Sequence, residues 1–118
     1  GSDFDHVIPT SATPSDIEIL AHSPIPADDG TVSGGTWDGV SYSDMIYFTN
    51  PTSGGGVIDT GNNVWIGDLR SCTSQNTDCA APKLSKITNN ILWLFGQGPA
   101  GETEPAVSNV ASIEPSGT

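Results

Sequence analysis

Apolar residues in this chain fall into separate clusters, and each cluster has its own period. Asp16-Ile17-Glu18-Ile19-Leu20-Ala21 alternates and is rich in β-branched side chains, which predicts a short strand over 17–22, closed by Pro24 and Pro26. Met45-Ile46-Tyr47-Phe48-Thr49 is a continuous run between Asp44 and Asn50-Pro51, the pattern of a strand buried on both faces. Three glycines then precede Val57-Ile58-Asp59-Thr60-Gly61, a second short strand that ends on glycine. Over 82–95 the period changes. Leu84, Ile87, Ile91, Leu92, Leu94 and Phe95 recur at helical spacing and form one broad apolar face. Pro82 fits the first turn of that helix, and Gly96 offers a left-handed stop.

The stretches between these clusters are polar. Residues 1–16 carry Pro9 and Pro14 and should run extended, while 26–42 is a long turn-rich loop with Val32, Trp37 and Val40 as its apolar anchors. After Gly98 the chain is dominated by Pro, Gly, Ser and Glu, so residues 1–98 are assigned to a domain and 99–118 to a tail or linker. Parallel neighbours need a crossover of about a dozen residues, usually helical. No helical pattern lies between 22 and 44, so either these strands pair antiparallel or the rest of the sheet lies outside this chain.

Charge narrows the partners. Fourteen acidic residues face three basic ones, a formal net charge of -11 at pH 7. Such a field repels phosphate and argues against nucleic acid. No apolar run approaches the roughly 18 residues of a membrane span, which argues against insertion. Cys72 and Cys79 sit in a polar loop with six residues between them, and both histidines, His6 and His22, are distant in sequence. A local disulfide fits better than a metal site, and with the scarcity of lysine it favours a secreted or extracellular protein.

The order of features resembles a known family. GSDFDHV, IEILAHSPI, SDMIYFTNPTSGGGVIDTGNNVWIGDL and ITNNILWLFGQGP are similar to the end of the N,N-dimethylformamidase large (beta) subunit domain and its relatives, over nearly residues 1–98. Ser53 to Trp65 is the most specific part. The ending also resembles the wider trehalose-utilisation and glutamine-amidotransferase-like group. That resemblance implies an α/β, flavodoxin-like sheet between helices, incomplete in this chain. It further implies hydrolysis of amide C–N bonds at a mononuclear iron held by tyrosines and a carboxylate, most of it upstream. Relatives carry glutamate where Asp3 stands, a carboxylate longer by one methylene.

Several residues are candidates for chemistry. Asp3 and Asp5 flank Phe4 in an extended segment, so both carboxylates project to one side, where they could hold a hard cation or divide acid and base roles. His6 adjoins them as a possible metal ligand with Asp3; exposed chain-end groups are the plain alternative. Asp59 follows the glycines where an amidotransferase would place its histidine. Gly54, Gly55 and Gly56 could bring backbone N–H groups to an anion or substrate, or simply make a tight turn. Trp37, set among glycines, is a candidate for substrate contact. His22 lacks any nucleophile in its sequence context and reads as a hydrogen-bonding residue at a strand end.

Two functions follow. The first is a segment of a secreted hydrolase, inactive alone and completed by another chain or by upstream sequence, with iron as the implied metal. The second is a non-catalytic extracellular scaffold or carbohydrate-binding module.

Overall fold

The computed structural model describes residues 4–25, 41–70 and 80–113. Asp3, Trp37, Cys72 and Cys79 lie outside the described residues, so the roles expected of them, the disulfide included, rest on sequence alone. Three strands, β1 (Glu18–Ile25), β2 (Ser41–Thr49) and β3 (Gly56–Asp59), form one sheet in the order β1-β2-β3. Both pairings are antiparallel. The described architecture is therefore mixed α and β around an antiparallel sheet, and the first of the two alternatives left by the missing crossover holds.

The β2–β3 connection shows why the glycines are there. Asn50 Oδ1 accepts from the Thr52 and Ser53 amides at 2.9 and 3.0 Å, the Asn50 amide donates to Gly55 O, and the Gly54 amide donates back to Asn50 O, both at 2.8 Å. Gly54 has φ +70, a conformation that disfavours a side chain. At Gly56 a Cβ would lie 2.9 Å from both Ala100 and the Tyr47 ring. Its bareness lets the short helix Ala100–Thr103 close on the sheet.

β1 contains the irregularity that matters most. Glu18 pairs with Tyr47 and Ile19 with Ile46, but Ala21, not Leu20, pairs with Met45. Leu20 is the extra residue of a β-bulge, and its side chain is exposed. Beyond it the phase of the strand is inverted, so His22 pairs with Asp44 and shares a face with Ile19.

One face of the sheet carries a core of Val7, Ile17 and Ile19, against which Ile46, Phe48, Val110 and Ile113 pack. Residues 99–113, whose composition reads as tail or linker, are folded onto the sheet. They form short helices α3 (Ala100–Thr103) and α4 (Val110–Ile113), which follow α1 (Trp65–Asp68) and α2 (Ala81–Gly96) in the chain. Asn109 works as a false strand: its Oδ1 accepts from the Ile19 amide at 2.7 Å and its Nδ2 donates to Ile19 O at 2.9 Å. Tyr47 Oη donates to Glu104 O at 2.7 Å. Burial, together with the Glu104 and Glu18 charges, pushes that phenol above its usual pKa and keeps it a donor.

α2 runs from Ala81 to Gly96 with Pro82 in its first turn, close to the expected span. The expected left-handed stop at Gly96 is absent. Gln97 caps the helix in a right-handed conformation, and the positive φ falls on Gly98. Of the whole helix only Ala81 is fully buried.

Asp16 ties the start of β1 to the end of β2. Its Oδ2 accepts from Thr49 Oγ1 at 2.5 Å and from the Thr49 amide at 3.0 Å. These bonds favour the ionised form and hold the carboxyl below its ordinary 3.8. With the folded value depressed, the stabilisation is present above the unfolded value and lost as pH falls through the folded one. Asp16→Asn is expected to cost about 1 kcal/mol near neutral pH. In urea titrations across pH, the gap between the variant and the parent sequence should close as the pH drops below 3.8.

Candidate functional site

Gly61 gathers three aspartates. The Asp5 amide donates to Gly61 O at 2.9 Å, the Gly61 amide donates to Asp59 Oδ1 at 2.8 Å, and the Asp44 carbonyl lies directly against the Gly61 α-carbon. Ser43 Oγ adds a second donor to Gly61 O at 2.9 Å. The Asp44 amide in turn donates to Asp5 O at 2.8 Å, so the N-terminal segment is laced to β2 by its backbone. This contact requires a residue without a Cβ and with φ +75, which Gly61 supplies.

Above it opens a cleft of about 430 Å³ lined by Asp5, His6, Asp44 and Asp59 and, on its apolar side, by Ile17 and Ile46 among others. No lysine or arginine is among its lining residues. The cleft brings together Asp5, His6 and Asp59 from the sequence candidates. It does not include Gly54, Gly55 or Gly56. Their turn uses the Gly54 and Gly55 amides internally, on Asn50 O and Ser53 Oγ.

The feature that sequence reasoning missed is Asp44. It is 2% exposed, the most buried polar residue among those described, although the apolar pattern marks it only as the boundary of a strand. Asp44 Oδ2 accepts from the Val7 amide at 2.8 Å, and Asp44 Oδ1 meets His22 Nδ1 at 2.5 Å. The His22 ring stacks on Tyr42, with centroids 3.9 Å apart and planes 14° from parallel. His22 is thus held by a carboxylate at one nitrogen and by an aromatic face, with part of its side chain open to solvent. Asp44 forms a wall of the cleft, and His22 stands behind that wall. A carboxylate on Nδ1 fixes the imidazole tautomer and the orientation of the ring. An antiparallel pairing of the first two strands, with allowance for a bulge, is the signal that would have joined these residues.

The expected metal set is only partly represented. His6 Nε2 is buried with no hydrogen-bond partner among the described residues. No three His, Cys, Asp or Glu side chains among those residues converge to hold a metal ion. The described residues therefore do not by themselves fit an iron site. No helix among them is long and apolar enough to cross a membrane.

Comparison with known proteins adds one finding. A family described as N,N-dimethylformamidase beta subunit-like, C-terminal, matches residues 1–79 of the 118. No curated protein and no solved structure matches the chain.

Proposed function

This chain belongs to the N,N-dimethylformamidase beta subunit-like C-terminal family, and from that premise we propose that it is the closing part of a secreted amidohydrolase-like protein acting on amide C–N bonds. The observation that carries the reading is the cleft that brings Asp5, Asp44 and Asp59 together in a chain of this family.

Upstream sequence or a partner chain supplies most of the site and completes the sheet, flavodoxin-like by the resemblance. A metal ion, iron by the same resemblance, draws its ligands from outside the described residues. The contribution of this chain is proton handling and substrate orientation. Asp59, which lines the cleft, takes a proton from the attacking water as oxygen bonds to the amide carbon, while His22 behind the wall holds Asp44 in place through Nδ1. Asp59 returns the proton to the departing nitrogen as the C–N bond breaks, giving a carboxylic acid and an amine. Asp5 at the cleft orients the amide, and Asp3 extends that carboxylate set.

The test is hydrolysis of N,N-dimethylformamide and other N-substituted formamides by the intact parent protein. Asp59→Asn is expected to lower kcat about 100-fold or more, with KM little changed and the pH profile flattened. An intact protein that hydrolyses none of these amides, or an Asp59→Asn variant with full kcat, would overturn the reading.

A further inference from the structure

The Asp59 carboxylate hangs on the loosest residue of the site. Its Oδ1 accepts from the Gly61 amide at 2.8 Å, and Gly61, with φ +75 and no Cβ, has the freest backbone of any residue type. A carboxylate held by that amide is only as fixed as the backbone that carries it. Two donors meet on the Gly61 carbonyl and hold it in place, the Asp5 amide and Ser43 Oγ, each at 2.9 Å. The first comes from the N-terminal segment. The second is a side chain of β2, the central strand of the sheet.

Ser43 itself stays out of the cleft. Asp44 lines it, successive side chains of a strand point to opposite faces, and Ser43 is not among the lining residues. Half-buried behind the strand, its hydroxyl reaches the carbonyl of the residue whose amide holds Asp59.

We propose that Ser43 is a positioning residue: by donating to Gly61 O, its hydroxyl fixes the Gly61 backbone and, through it, the Asp59 carboxylate at the cleft. This role rests on the amide-hydrolysis reading above, in which Asp59 carries the proton. A general base must lie within hydrogen-bond reach of the water it activates, and a misplacement of about 1 Å can cost on the order of 100-fold in rate. Removing one of the two donors on Gly61 O loosens Asp59 in part, so the loss is smaller than on removing the carboxylate.

A kinetic double-mutant cycle on the intact parent protein tests it, with N,N-dimethylformamide and other N-substituted formamides as substrates. Ser43→Ala is expected to lower kcat about tenfold with KM little changed, because Ser43 touches no substrate. Ser43→Thr keeps the hydroxyl and is expected to stay within about twofold of the parent. In an Asp59→Asn background, Ser43→Ala is expected to change kcat by less than about twofold, since a side chain that acts through Asp59 has no base left to position. A loss that persists undiminished in that background would mark a general structural effect and overturn the proposal. A low kcat in Asp59→Asn beside full kcat in Ser43→Ala would remove the positioning role and retain the enzymatic reading. Full kcat in Asp59→Asn would remove both.

Discussion

Gly61→Ala is expected to lower stability by about 3 kcal/mol or more, the largest effect of any single methyl group in the described structure. Two costs act together. The residue has φ +75, where a Cβ is strained, and the new methyl would collide with the Asp44 carbonyl, which is backbone and cannot step aside. Relief would require β2 to move away from the 61–62 turn. That motion would break the bonds from Asp5 N and Ser43 Oγ to Gly61 O. Urea denaturation should show the midpoint falling sharply with little change in slope. A loss under about 1 kcal/mol would mean that the turn does not press on β2 as described.

Asp44→Ala is the second large effect, with an expected loss of about 3 kcal/mol. The carboxylate side chain is fully buried and serves two partners, so truncation leaves the Val7 amide without its acceptor and His22 without its anchor. His22 retains access to solvent, which keeps the cost toward the lower part of the range known for broken buried pairs. Asp44→Asn should cost less, because an amide oxygen can still accept from Val7. If the alanine and asparagine variants are equally stable, the carboxylate charge contributes nothing and the pair is not an ion pair in solution. Thermal or urea unfolding of both variants gives the answer.

Much of the framework was legible in the sequence. The apolar run at 45–49 lies inside β2, the segment after the glycines contains most of β3, and the helical period at 82–95 lies within α2. Family resemblance was legible too, and the family match covers residues 1–79. These signals are repeated along the chain, so one atypical residue does not erase them.

What was not legible depends on single residues. Strict alternation from Ile17 and Ile19 puts His22 on the opposite face, and only the bulge at Leu20 returns it to Asp44. Nothing in local periodicity announces one extra residue. The docking of 99–113 was hidden for a different reason. It is anchored by Asn109 on the Ile19 backbone, by Tyr47 on Glu104 O and by small buried residues, Ala100 and Ala106. Such contacts leave no apolar period. The flavodoxin-like expectation came from resemblance, and the described sheet holds three antiparallel strands.

The site rests on the bulged register that sets His22 against Asp44, and a double-mutant cycle on these two residues tests it most directly. Stabilities of the parent sequence, His22→Ala, Asp44→Ala and the double variant would be measured by urea denaturation. The bulged register predicts a coupling of about 1 to 3 kcal/mol. Additivity within about 0.5 kcal/mol would contradict it and separate His22 from the cleft wall.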